Sequence, residues 1–194
     1  GAFGYLNKAS APEKLLEAID VITRKRLLEI RQSSRSIKLG DSPIIGFPLH
    51  KGADGFMSDK QFRTFYWPSL RRICLALIEE GFIPELRTQG SYTTRLEAVR
   101  GDLPRGRVIW HLYLTNMKLA HEALGKDYCL VGAVPQSTLS IGRPEDVEAY
   151  CRHLIDLCAK DGGFIVSSPG ALGTDAKPEN VRAMIRATRE YGVY

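Results

Sequence analysis

Apolar and polar positions along this chain fall into two alternating patterns. Apolar runs of five to eight residues recur between longer segments whose apolar positions are spaced by three and four. The helical spacing comes first, at Leu15, Leu16, Ile19, Ile22, Leu27 and Ile30. It follows Ser10-Ala11-Pro12-Glu13, a capping box with proline near the first helical position. The stretch Gln32 to Ser42, with four serines and a glycine, then breaks the pattern. It reads as a flexible loop inside one domain spanning 1–194, since nothing ahead of it could form a core alone.

From Pro43 the two patterns alternate. The run Ile44 to Leu49 predicts a strand that ends at His50 and the glycine turn Lys51-Gly52-Ala53-Asp54-Gly55. Ser58-Asp59-Lys60-Gln61 is a second capping box, opening a helix up to Trp67. Pro68 starts another, carrying Leu70, Ile73, Cys74, Leu77 and Ile78 and closed by Gly81. Strands are predicted at Phe82–Leu86, Arg107–Leu114, Tyr128–Val134 and Gly163–Ser167. A polar turn covers Arg87 to Thr94, and helices are predicted from Met117 to Leu124, Pro144 to about Lys160 and Pro178 to about Tyr191. Five apolar strands separated by helices argue for parallel βα units, with helices covering a sheet buried on both faces. Pattern alone leaves two architectures open, a doubly wound sheet and part of a (β/α)8 barrel.

Composition narrows the class more than the fold. The chain has 194 residues, 44% hydrophobic and 25% charged, enough for one domain with a sizeable core. Lysine and arginine exceed aspartate and glutamate by 27 to 22, but the excess is spread out and forms no stripe interleaved with aromatics. That argues against nucleic acid as a partner. No apolar run approaches the roughly 18 residues of a membrane span. The opening Gly1-Ala2-Phe3-Gly4-Tyr5 lacks a signal-peptide layout. Cys74, Cys129, Cys151 and Cys158 form no C-x-x-C pair and read as reduced thiols. The expectation is a soluble cytoplasmic protein.

In either parallel architecture ligands meet the C-terminal ends of the strands. That places His50 and Asp54 first, followed by Arg87, Gln89, Ser91 and Tyr92. The later strands contribute His111, Tyr113 and Asn116, then Gln136 and Ser137, then Ser167 and Ser168. His50, before a glycine turn, suits an acid, a base or a ligand, or else bonds its own loop. His111 either points into a barrel or packs under a helix, and its apolar neighbours favour the second. His121 and His153 lie on helices and read as surface or packing residues, and Cys151 and Cys158 share one helical face as core. Glu79 and Glu80 read as a solvated helix face. No second carboxylate is tied by spacing to Glu97 or Asp102, so a two-carboxylate mechanism finds no support. No zinc or phosphate-loop motif appears.

Four stretches say more. Gly132-Ala133-Val134-Pro135, Gly142-Arg143-Pro144-Glu145-Asp146-Val147, Gly162 to Ser168, and Pro178-Glu179-Asn180-Val181-Arg182-Ala183-Met184 resemble, in this order and spacing, the closing segment of the uroporphyrinogen decarboxylase superfamily. His50 to Asp59, with Phe65-Tyr66-Trp67-Pro68, resembles a branch of it found in anaerobic bacteria beside corrinoid proteins. The resemblance implies a (β/α)8 TIM barrel of which this chain is roughly the C-terminal half. It also implies a cobamide-dependent methyltransferase, moving a methyl group from a methoxylated or other donor to a corrinoid co-substrate. Alternatives within it are uroporphyrinogen decarboxylation, which needs no cofactor, and a non-catalytic corrinoid- or ligand-binding barrel. The thiol-directed enzymes carry zinc on H-x-C and a later cysteine. Those positions fall on Arg87, Gln89 and near Gly170 here, so zinc is not expected there.

In this reading His50, His111 and Tyr113 are the acid candidates. Asp54, Arg87, Gln89, Ser91, Tyr92, Gln136, Ser167 and Ser168 contact substrate, with Arg87 offsetting anionic charge. The 194 residues alone are expected to be inactive. Expected partners are a corrinoid protein, the N-terminal half of the barrel from the same or another chain, or a second copy.

Overall fold

The structure, a computed structural model, describes residues 12–34, 44–160 and 162–193. Ser10, Ala11 and residues 35–42 of the predicted loop lie outside the described residues. Helix α1 (Pro12–Ser34) continues into the polar stretch, past Gln32. Five parallel strands follow: β1 (Ile44–Pro48), β2 (Ile83–Arg87), β3 (Ile109–His111), β4 (Cys129–Ala133) and β5 (Phe164–Ser167). The helices between them are α2 (Asp59–Gln61), α3 (Trp67–Glu79), α4 (Leu96–Val99), α5 (Met117–Leu124), α6 (Gln136–Ile141) and α7 (Pro144–Cys158). Helix α8 (Pro178–Tyr191) comes last.

Strand order decides between the two architectures. The strands lie β1-β2-β3-β4-β5, each beside its neighbour in sequence, with no reversal. Right-handed crossovers in an order that never reverses put every connecting helix on the same side, the winding of a barrel wall. The burial pattern agrees. Phe47, Leu86, Trp110, Leu130 and Phe164 stand in one register row, and the last four are 0–8% exposed. On the opposite face Pro48, Arg87, His111, Val131 and Ile165 form the matching row, with Ile165 at 49%. The expectation of a sheet buried on both faces is therefore corrected. Helices cover one face, and the other lines a lumen that these five strands only partly enclose.

Local differences have local causes. The predicted helix start at Pro68 is instead a continuation, because Phe62–Tyr66 widens into a π-turn in which the Trp67 amide bonds Phe62 O. The wider turn absorbs the missing proline donor and the bulk of its ring. β3 is shorter than the predicted 107–114. Arg107 closes a turn onto Pro104 O, and the Tyr113 amide bonds the Thr88 hydroxyl rather than a strand carbonyl. Helix α6 and the short α4 were not signalled by the pattern. Gly81, at φ 89°, ends the α3 segment in a conformation only glycine adopts freely. Cys74, Cys151 and Cys158 pack in the core as expected, and burial pushes the Cys74 thiol up to about 12.

Candidate functional site

Strand alternation assembles the site. Glu85 and Arg87 are two residues apart on β2, so both face the lumen. The register sets Arg87 beside His111 of β3. The Glu85 carboxylate accepts from Arg87 Nη2 at 2.6 Å and meets His111 Nδ1 at 3.1 Å. Glu85 and His111 are 13% and 12% exposed, Arg87 48%. Burial acts to raise the Glu85 pKa, but the hydrogen bonds from Arg87 and His111 outweigh it and hold the group below its ordinary value of 4.5. Because the folded value is the lower one, pairing contributes stability above the ordinary value and loses it as the pH falls through the folded one. Arg87 is raised in turn, chiefly by its hydrogen bond to Glu85. Its guanidinium lies across Gly46 of β1, where a Cβ would stand 3.2 Å from Cζ. A side chain at position 46 would crowd the guanidinium.

His111 is held at both nitrogens. Nε2 lies 3.3 Å from the Ser168 carbonyl after β5, and the ring packs edge-on to Tyr113 at 5.1 Å between centroids. The Glu85 carboxylate and the Ser168 carbonyl only accept, so either ring nitrogen that carries a proton has an acceptor facing it. The Nε2 contact is long for a hydrogen bond and can be exchanged for a ligand oxygen. His111 therefore points into the lumen, correcting the expectation that it packs under a helix; its neighbour Trp110 does so instead. Tyr113 also lines a cleft of about 690 Å³ with Leu114, Met117, Gln136, Tyr150 and Pro169.

The remaining expected residues divide. His50 is exposed and bonds Gln89 Oε1 through Nδ1 at 3.1 Å, across to the next loop rather than within its own. Asp54 is spent on loop structure. It accepts from Ser91 Oγ, Thr94 Oγ1 and the Thr94 amide, beside the buried Arg95 guanidinium. Tyr92 is 1% exposed and donates to Leu49 O, which leaves it no surface for a ligand. Asn116 caps α5 through Leu119 N. Gln136 lines the cleft and donates from Nε2 to Asp175 at 3.3 Å, with Ser137 exposed beside it. Ser167 ends β5, and Ser168 offers its carbonyl to His111 while its hydroxyl bonds Gly170 O.

Glu85 is the residue that reading the sequence missed. Its signal was its place two before Arg87 in a strand, which commits it to the same face.

The positions that the resemblance implies for zinc lie around this cluster: Arg87 ends β2, Gln89 lies just beyond, and a Cβ at Gly170 would stand 3.1 Å from the Tyr113 hydroxyl. A guanidinium, an amide and a glycine do not fit zinc, which takes thiolate, imidazole or carboxylate. Among the described residues no helix is long and apolar enough to cross a membrane.

The profile of the uroporphyrinogen decarboxylase (URO-D) family matches residues 35–191. No curated protein sequence matches. Among solved structures, a methyltransferase from Methanosarcina mazei superposes with a TM-score of 0.68 at 17% identity, over 92% of this chain and 50% of its own. The chain thus spans half the length of that structure.

Proposed function

We propose that this chain, which belongs to the uroporphyrinogen decarboxylase family, forms the acid-bearing half of a methyltransferase barrel that passes a methyl group from a methoxylated donor to a corrinoid. The observation that carries the reading is the lumen dyad of Glu85 and His111, an imidazole oriented at Nδ1 and loosely held at Nε2. The likeness to a methyltransferase barrel and the His50 to Pro68 segment support the same reading.

The reduced corrinoid, as co-substrate, supplies the nucleophile. What remains for the protein is to orient the donor and neutralise the departing oxygen. His111 Nε2 leaves Ser168 O and protonates that oxygen as the O–CH₃ bond breaks, so the donor departs as a neutral hydroxyl compound. Glu85 steadies the imidazolium before transfer and fixes the ring plane. Arg87 offsets negative charge on the donor, and the cleft beside Tyr113 receives its apolar body.

The test uses the complete protein under anaerobic conditions with cob(I)alamin and a panel of methoxylated compounds. Absorbance is expected to show methylcobalamin forming above the enzyme-free rate. No methylation, with uroporphyrinogen consumed in a parallel tube, overturns the reading in favour of decarboxylation.

A further inference from the structure

The second polar pair at the strand ends has a different hydrogen-bond logic from the first. Gln89 has φ 45°, the one non-glycine residue with positive φ among those described. A glutamine in the left-handed region is strained, and such strain persists only where surrounding structure enforces it. Here the enforcement is visible. Gly90 passes so close to Ala53 that a Cβ would stand 2.8 Å from its side chain, and Asp54 is bound to Ser91 and Thr94. The loops after β1 and β2 are stitched together, and Leu49 N bonds Arg87 O at their base. At the free edge of the stitch, Gln89 Oε1 meets His50 Nδ1.

We propose that Gln89 is a positioning residue: its strained backbone aims Oε1 at His50, fixes the Nδ1–H tautomer and so presents Nε2 as a hydrogen-bond acceptor at the lumen rim. An amide oxygen only accepts, so His50 donates from Nδ1 and its lone pair is left on Nε2. Among the described residues Nε2 has no partner. The two histidines then divide their roles. His111 faces acceptors at both nitrogens and has a proton to give, whereas His50 has a lone pair to offer. A ligand in this site turns a donor group, O–H, N–H or S–H, toward β1 while its leaving atom faces His111. The division of roles rests on the methyl-transfer reading; the tautomer does not.

Long-range ¹H–¹⁵N correlation on the complete chain, with His50 assigned by its loss in His50→Gln, reads the tautomer directly. The wild type is expected to show the Nδ1–H form at a pH where the ring is neutral. Gln89→Glu, which can only accept, should keep that form. Gln89→Leu should release it to a mixture weighted toward Nε2–H. Gln89→Gly relieves the φ strain and should raise the unfolding temperature while losing the tautomer, a pairing that a merely structural role does not produce. In the methyl-transfer assay Gln89→Leu should lower kcat about tenfold with rescue by Gln89→Glu. A wild-type Nε2–H tautomer, or one unchanged in Gln89→Leu, overturns the proposal whether or not methyl transfer is found. Methyl transfer absent while the tautomer behaves as expected overturns the functional reading alone.

Discussion

Replacing Glu85 by glutamine in the complete protein lowers kcat for methyl transfer by about 100-fold while leaving the fold intact, a barrier increase of about 2.7 kcal/mol. The size of the effect follows from what the carboxylate does. It accepts from His111 Nδ1 at 3.1 Å and from Arg87 at 2.6 Å, so one residue orients the acid and holds the anion-facing guanidinium. A glutamine of the same shape has one acceptor oxygen in place of two and a donor NH₂ that repels either partner. General-acid steps contribute about 10²–10⁴-fold, and the dyad is proposed to supply that step. The Glu85–Arg87 pair adds little to stability, because Arg87 is 48% exposed and half-solvated pairs contribute about 0–1 kcal/mol, and glutamine keeps an acceptor oxygen for His111. Steady-state kinetics and urea unfolding on the same preparation check both halves. A loss below threefold would remove Glu85 from the mechanism.

The largest effect on stability is expected at Asn180→Asp, about 3–5 kcal/mol. Asn180 is fully buried, and its Nδ2 donates to Leu139 O and Gly142 O, each at 2.9 Å, with Thr138 O at 3.3 Å. Thr138 O and Leu139 O already accept from the Gly142 and Lys177 amides, so the Asn180 side chain adds a further donor at the C-terminal end of α6 and ties it to the first turn of α8. An ionised aspartate would turn a buried negative oxygen on three carbonyl oxygens, with no donor to offset it. Against a typical total of about 5–15 kcal/mol, the loss shifts the urea midpoint well below the wild-type value and can unfold the chain at 37 °C. Asn180→Ala should cost less, about 1–3 kcal/mol, because it removes the donor without adding charge. Equal midpoints for the wild type and Asn180→Asp would show that the α6–α8 contact does not limit stability.

Much of this fold was legible in the sequence. Met117–Leu124 and Pro178–Tyr191 were readable because a cap or an N-terminal proline and an amphipathic repeat agree on each. Strand existence was legible too, but β3 was overestimated, since a run of apolar residues does not reveal where an amide leaves the ladder for a threonine hydroxyl. Helix α6 was hidden because its start is a proline-turn segment without an amphipathic repeat. The choice between doubly wound sheet and barrel turned on strand order, which is set by long-range pairing that periodicity does not encode.

The site was half legible. The strand-end rule picked Arg87, His111 and Tyr113; the parallel register brings the first two together, and Tyr113 joins them by packing edge-on to His111. Glu85 was passed over because the rule looks at the last residue of a strand and just beyond, and Glu85 lies two residues inside. Asp54 and Tyr92 sit at the right end of the sheet but face neighbouring loops and the core. Whether a loop side chain faces a ligand or another loop is decided by packing that sequence spacing does not specify.

The central claim, that His111 gives its proton to the departing oxygen, is tested most directly by a series of aryl methyl ethers with increasingly acidic leaving phenols. The measurement is single-turnover methylation of cob(I)alamin by the complete wild-type protein and by His111→Ala. The wild-type rate should vary little along the series and the variant's steeply. Their ratio should fall from at least 100 for the poorest leaving group toward 1 for the best, which needs no proton. A ratio that stays constant across the series would show that His111 contributes position alone and would contradict the account.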